Sequence, residues 1–148
     1  MKKLSVKYNS YIPYITLVLA LVSTLASLFF SEILHLIPCV LCWYQRICMY
    51  PLVAICTVGV LLKDKNLPIY VLPLSIAGWL IALYHNLLYY HFLPESIAPC
   101  TAGVSCTNRF FQIFGFIDIP LGSFIAFTLI NICMIIYFKN LKAKNKKI

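Results

Sequence analysis

Four of the seven cysteines stand in two closely spaced pairs, a pattern that indicates thiol–disulfide chemistry. Cys39 and Cys42 form a C-x-x-C pair, and Cys100 and Cys106 bracket the short segment TAGVS. Sulfurs at such spacing can form and break a disulfide, which moves two electrons in each cycle. The other three cysteines lie in apolar sequence, where a cysteine is usually a small hydrophobic core residue: Cys48, Cys56 and Cys133.

The two pairs differ in their surroundings. Cys39 and Cys42 stand where a short loop turns into an apolar helical segment, and free N–H groups and the dipole at a helix start favour a thiolate. Cys100 and Cys106 lie in a long connection, where Gly103 permits a tight turn. An exposed pair of this kind is suited to exchange with another protein's thiol, although it would serve equally as a structural staple.

The elements that must position these sulfurs are membrane helices. Hydrophobic residues make up 62% of the 148-residue chain and charged residues 11%, which is too apolar for a soluble domain. Four stretches approach the roughly 20 residues needed to span ~30 Å of hydrocarbon: residues 12–30, 43–62, 67–88 and 119–138. The sequence therefore predicts a single all-α membrane domain over residues 1–148, a four-transmembrane-helix bundle with two cysteine-containing loops.

The first stretch has a second interpretation, a cleaved signal peptide, because basic residues precede it. The apolar run is longer than a usual signal core, and no clear small-x-small cleavage site precedes Ser31 and Glu32. We therefore expect the first helix to be retained as an anchor.

The net charge of +8 is placed at helix ends rather than on a nucleic-acid-binding surface. The lysines lie before the first helix, between the second and third, and after the fourth: Lys2, Lys3, Lys7, Lys63, Lys65, Lys139, Lys142, Lys144, Lys146 and Lys147. Because positive loops stay in the cytoplasm, both termini are predicted to be cytoplasmic. Both cysteine-containing loops then face the extracytoplasmic side, where disulfides persist.

Arg46 follows Cys42 by one helical turn, so the two side chains share a helix face. A cation one turn inside hydrocarbon is costly, and it is expected to have a negative partner. A Cys42 thiolate or the oxygen of a reduced quinone would serve. The alternative is an arginine that only anchors the helix at the membrane interface.

Three segments resemble the disulfide bond formation protein B (DsbB) family, especially its short Gram-positive-type, BdbC-like members. Residues 38–46 read PCVLCWYQR, residues 98–106 read APCTAGVSC and residues 114–120 read FGFIDIP. The resemblance extends to the four spans and the paired outer loops. It implies a quinone-dependent protein disulfide oxidoreductase of the bacterial plasma membrane that supports disulfide formation in exported proteins.

The resemblance also implies a role for each paired cysteine. A thioredoxin-like extracytoplasmic thiol oxidase of the DsbA or BdbD kind, in its reduced form, would attack the Cys100–Cys106 disulfide at Cys100. The loop dithiol would then reduce Cys39–Cys42, with Cys42 lying against the quinone, which would be menaquinone or ubiquinone. Arg46 matches the family's quinone-site arginine.

His85 matches a histidine that the family carries near the quinone, at the outer end of the third helix. The alternative is a histidine that is merely hydrogen-bonded to a neighbour or water at the membrane interface. Four residues on, this chain has Tyr89 where many members have glutamine, so a second polar contact to the quinone is not expected there.

Two other functions fit some of the same residues. Cys39, Cys42, Cys100 and Cys106 would make a four-thiolate zinc site, but zinc sites favour reduced thiols, and these sulfurs face an oxidising compartment. A haem held by histidines is disfavoured because two of the three candidates fall in or beside loops: His35, His85 and His91. We therefore expect no metal ligands.

Overall fold

The computed structural model describes residues 2–93, 112–113 and 117–145 of the chain. These residues form four long helices and one short β pairing. In chain order the elements are α1 (Lys2–Leu28) with a π-helical turn (Phe29–Ile33), α2 (Val40–Leu61), α3 (Leu67–Tyr89), β1 (Gln112–Ile113), β2 (Ile117–Asp118) and α4 (Ile119–Asn145).

The helices close into a ring in which α1 packs on α2, α2 on α3, α3 on α4, and α4 back on α1. Each is long and apolar enough to cross a membrane, over Tyr11–Ile33, Val40–Leu61, Leu67–Tyr89 and Ile119–Ala143. The predicted four-helix bundle is thus confirmed.

The interior of the ring is filled by tightly packed apolar side chains, and the outside is apolar as well. Fully buried residues include Leu52, Cys56, Val71, Phe127, Ile130 and Met134. Many large apolar side chains instead point outward, such as Val22, Ile47 and Leu80. A contiguous apolar exterior is what a protein presents to lipid rather than to water.

Helices α3 and α4 approach closely and are joined by polar bonds. A Cβ at Gly78 would collide with the ring of Phe127, so glycine allows this ring to lie against the α3 backbone. Ser75 Oγ donates to Asn131 Oδ1 at 2.6 Å, and Trp79 Nε1 donates to Thr128 Oγ1 at 2.9 Å. Such bonds satisfy polar groups inside hydrocarbon, and they fix the position of α3 relative to α4.

Three helix ends extend beyond the predicted spans. Helix α2 begins at Val40 rather than residue 43, because Cys39 in extended conformation caps it and accepts from the Cys42 N–H at 3.4 Å. Helix α1 begins at Lys2, and α4 continues to Asn145 instead of ending at 138. Apolar composition marks the membrane segment only, whereas helical hydrogen bonding continues into the charged ends.

The β pairing near the start of α4 was not predicted. Gln112 pairs with Asp118 and Ile113 with Ile117, in antiparallel register. The aromatic residues of this connection predict a short segment that lies in the outer membrane interface. Those residues lie outside the part of the chain that the structure describes, as do Cys100 and Cys106: Phe110, Phe111, Phe114 and Phe116.

Candidate redox site

The Cys39–Cys42 pair lies at the start of α2, against the last turns of α3. We call this end of the bundle the cysteine end. Cys39 is 8% exposed and packs with Leu41 and Leu88, which are buried. His85 of α3 reaches the pair from the other side and is 2% exposed. The site is thus enclosed by two helices and largely shielded from solvent.

The two sulfurs are already adjacent. Cys39 Sγ and Cys42 Sγ are 3.0 Å apart and both cysteines are free. Because Cys42 lies in the first turn of the helix that Cys39 caps, the backbone holds both side chains on one side of the helix start. The pair can therefore form and break a disulfide as C-x-x-C motifs do.

Several polar groups contact the Cys39 sulfur. The Cys42 side chain hydrogen-bonds it, the Cys42 backbone N–H donates to it at 3.4 Å, and His85 Nε2 lies 3.8 Å away. These contacts lower the pKa of the Cys39 thiol well below its ordinary value, chiefly through the Cys42 hydrogen bond, with His85 adding to it and burial opposing it. In the reduced pair the negative charge is therefore favoured on Cys39.

Gln45 holds the other side of the histidine ring. Its Nε2 lies 3.1 Å from His85 Nδ1, and Gln45 is only 7% exposed. Sequence reasoning assigned no role to this residue, although it stands in the quoted motif. A polar side chain one turn into an apolar helix, and three residues after Cys42, was the signal that would have found it.

Arg46 is half-buried and is hydrogen-bonded to α1, and its expected negative partner stays a prediction. Its Nε donates to Ser27 Oγ at 2.9 Å and its Nη2 to the Ser27 carbonyl at 3.0 Å. Its guanidinium carbon lies 5.4 Å from the centre of the Trp43 ring, within the range of a cation–π contact. No feature of the sequence marks Ser27 as the partner, because it lies on a different helix.

The Arg46 environment fits a quinone. A guanidinium has five N–H donors, and the described contacts to Ser27 use two of them, which leaves donors for a carbonyl oxygen. The aromatic face of Trp43 and the apolar helix surface suit a flat lipid-soluble ring. His85 fits such a contact less well, because its two ring nitrogens face Cys39 and Gln45. Its predicted contact with the quinone stays a prediction.

Tyr89 is hydrogen-bonded to Asp118, the residue just before α4. Its hydroxyl donates to Asp118 Oδ1 at 2.9 Å, and the Tyr90 hydroxyl donates to Asp118 Oδ2 at 3.3 Å. Asn86 Nδ2 also donates to the Pro120 carbonyl at 2.9 Å. These bonds tie the end of α3 to the start of α4 and so help to fix the helix that carries His85.

The geometry of Cys39, Cys42 and His85 is compatible with two kinds of chemistry. The side-chain ligand atoms of Cys39, Cys42 and His85 all lie within 4.8 Å of one another, a spacing compatible with a soft metal ion as well as with disulfide exchange. The four-thiolate set considered from the sequence also requires Cys100 and Cys106, which fall outside the described residues.

Comparison with known proteins helps to decide between disulfide exchange and metal binding. Residues 9–137 match the model of the family described as "Disulfide bond formation protein DsbB". "Disulfide bond formation protein C" of Bacillus subtilis is 46% identical over 121 residues, covering 82% of this chain and 88% of the relative. "Probable disulfide formation protein C" of Halalkalibacterium halodurans is 44% identical over 121 residues, covering 81% and 88%. No match was found among solved structures.

The fold and the site together define a multi-pass membrane protein with a helix-capping dithiol. The chain belongs to the DsbB family of disulfide bond formation proteins. It is accordingly a disulfide oxidoreductase, and membership of this family favours disulfide exchange over zinc or haem binding as the use of its cysteine cluster.

Proposed function

We propose that this protein reoxidises an extracytoplasmic thioredoxin-like thiol oxidase and passes the electrons through Cys100/Cys106 and Cys39/Cys42 to a membrane quinone. The observation that carries the proposal is the set of contacts made by the Cys39 sulfur. It lies next to Cys42, caps a membrane helix and is contacted by His85, while Arg46 occupies the next turn of the same helix. A dithiol at the end of a membrane helix can react both with a loop of its own chain and with a lipid-soluble acceptor.

The distribution of positive charge supports an extracytoplasmic cysteine end. In the described structure, Lys63 and Lys65 lie between α2 and α3, and Lys139 and Lys142 lie in the last turns of α4. These segments are at the end of the bundle opposite Cys39. The positive-inside rule favours a cytoplasmic position for these segments, which supports a Cys39–Cys42 pair on the oxidising side.

The contacts of Cys39 support the following exchange between the two cysteine pairs. A thiolate from the loop attacks Cys39 of the Cys39–Cys42 disulfide, and Cys42 leaves. The second loop thiolate then attacks the mixed disulfide, and Cys39 leaves as a thiolate, so the loop dithiol is oxidised and the site is reduced by two electrons. Because a thiol with a lowered pKa leaves faster, the contacts to Cys39 favour this second step.

Arg46 is the residue of this site that would hold the acceptor. A bound quinone supplies an acceptor for two electrons and two protons. The guanidinium, oriented by Ser27 and by the Trp43 ring, would donate hydrogen bonds to one of its oxygens.

Anaerobic mixing of the purified oxidised protein with a reduced thioredoxin-like oxidase and quinone tests the proposal. Quinone absorbance and the thiol titre of the partner are followed together. We expect one quinone to be reduced for each partner dithiol that is lost. Loss of partner thiols without reduction of quinone would refute the proposed acceptor, and reduction of quinone without loss of thiols would refute the proposed donor.

Replacing Arg46 with Ala is expected to raise the apparent KM for quinone by about 10-fold or more, because a charge-assisted hydrogen bond contributes roughly 1.5–3 kcal/mol. The exchange of thiols with the partner should continue in a single turnover, since the sulfurs remain. The measurement is initial rate against quinone concentration, in detergent or nanodiscs of fixed composition.

The matched variant for this test is Ser27→Ala, which removes the hydroxyl that orients the guanidinium but keeps its charge and its bond to the Ser27 carbonyl. It should raise the apparent KM less than Arg46→Ala does. An unchanged KM in Arg46→Ala would count against the assigned role of Arg46.

A further inference from the structure

A buried carboxylate lies where the chain enters α4. Asp118 is only 8% exposed, and both of its oxygens accept hydrogen bonds from the end of α3. The Tyr89 hydroxyl donates to Oδ1 at 2.9 Å, and the Tyr90 hydroxyl donates to Oδ2 at 3.3 Å. Burying a carboxylate is costly unless its oxygens are paired, and hydrogen bonds to an ionised group are about twice as strong as neutral ones. These two bonds therefore hold Asp118 against the end of α3.

This contact lies close to the redox site. Tyr89 follows His85 by four positions, so the two side chains share one face of α3. His85 Nε2 is 3.8 Å from the Cys39 sulfur. One turn of an α-helix rises about 5.4 Å. Asp118 is therefore held at the cysteine end, about one turn of α3 from the ring that contacts Cys39.

Asp118 also forms the base of the short β pairing. Gln112 pairs with Asp118, and Ile113 pairs with Ile117. The strands are antiparallel, so the chain that precedes Gln112 begins next to Asp118. Cys106 is six positions before Gln112 in the sequence. Because six residues span at most about 20 Å, the anchored strand pair limits how far Cys106 can lie from the cysteine end.

The other end of the same connection is held at the cysteine end as well. Leu93 lies just after α3 and packs against the buried cluster of Cys39, Leu41 and Leu88. Cys100 follows Leu93 by seven positions. The loop pair is therefore tethered on both sides to residues that contact the redox site or lie about one helical turn from it.

We propose that Asp118, held by Tyr89 and Tyr90, is a positioning residue that keeps the loop cysteines at a high effective concentration relative to Cys39. Exchange between the two pairs is then an intramolecular reaction across a short tether, and its equilibrium depends on that tether as well as on the sulfurs. This inference rests on the proposed function and adds to it the contact that keeps the two cysteine pairs within reach of each other.

Loss of the Asp118 side chain is expected to lengthen the tether. A two-stranded pairing is marginally stable on its own, so the pairing of Gln112 should open once both tyrosine bonds are gone. The first helical residue after Cys106 is then Ile119, which is 13 positions away instead of six. Because effective concentration falls roughly as the −3/2 power of tether length, it should drop about 3-fold.

The test measures this effective concentration in a protein that carries Cys42→Ser and Cys100→Ser and so retains one sulfur from each pair. When Cys39 and Cys106 join, oxidised glutathione takes up the two electrons and two protons and becomes two molecules of reduced glutathione. The protein is equilibrated in nanodiscs at fixed concentrations of both forms of glutathione. Mass spectrometry of peptides then gives the fraction of the Cys39–Cys106 disulfide.

Asp118→Ala should lower this effective concentration about 3-fold. Tyr89→Phe together with Tyr90→Phe should lower it to a similar extent, and combining them with Asp118→Ala should add little, because both sets remove the same bonds. The matched control is Asn131→Ala, which also removes a polar contact between α3 and α4, to Ser75, but lies about three turns into α4. It should lower the temperature of thermal unfolding and leave the effective concentration unchanged.

An unchanged effective concentration in Asp118→Ala, or an equal fall in Asn131→Ala, would overturn the inference. If Asp118→Ala does not fold, the variant that lacks both tyrosine hydroxyls decides alone. No quinone or partner protein takes part. Failure of Cys39 and Cys106 to join at all while Asp118 is intact would contradict the proposed electron route itself, and the inference with it, so the two failures are distinguishable.

Discussion

Replacing Cys42 with Ser is expected to abolish quinone reduction, whether the electrons come from the partner oxidase or from dithiothreitol. A hydroxyl cannot form a disulfide with Cys39, whose sulfur lies 3.0 Å from the Cys42 sulfur. Without that disulfide the site has no two-electron oxidised form to exchange with the loop dithiol. The measurement is the anaerobic decrease in quinone absorbance, which should fall to the rate seen without protein.

The same chemical change at Cys133 provides the control. Cys133 lies on α4, partly buried against the core and distant in the fold from the start of α2. Cys133→Ser should reduce quinone at close to the normal rate, with stability monitored by thermal unfolding. Turnover retained in Cys42→Ser, or lost equally in both variants, would contradict the proposed route through Cys42.

Replacing Cys100 with Ser is expected to stop oxidation of the partner protein while leaving quinone reduction by dithiothreitol largely intact. A folded partner is too large to reach Cys39, which is 8% exposed between α2 and α3, and so requires the loop pair as an intermediate. A small dithiol can approach the half-buried Cys42 and its neighbour without the loop. The two donors are compared by quinone absorbance under identical conditions.

Ser105→Ala alters the same loop without removing a sulfur, and it should oxidise the partner normally. A partner variant that lacks its resolving cysteine should form a mixed disulfide that peptide mapping assigns to Cys100. Attachment at Cys106 would reverse the predicted order of the loop cysteines. Equal loss of both donor activities in Cys100→Ser would instead show that the loop pair supports the site structurally, as a staple does.

The sequence alone determined the architecture and the kind of chemistry. Nearly charge-free stretches of about 20 residues are typical of membrane helices, so their number and order follow from composition. The C-x-x-C at a helix start likewise predicted a thiolate, because its cause is local. The cap at Cys39 was not predicted, because a capping sulfur depends on side-chain geometry. Composition alone led us to start α2 at residue 43.

Only the tertiary structure decided which residues act together at the site. His85 is 46 positions from Cys39, and Ser27 is 19 from Arg46, so neither pairing leaves a periodic trace in the sequence. Each depends on the rotation and depth of one helix against another, which the packing of the whole ring fixes. Sequence reasoning accordingly expected an anion beside Arg46 and a quinone beside His85. The packed helices bring serine to the arginine, and cysteine and glutamine to the histidine, while the expected anion and quinone contacts stay predictions.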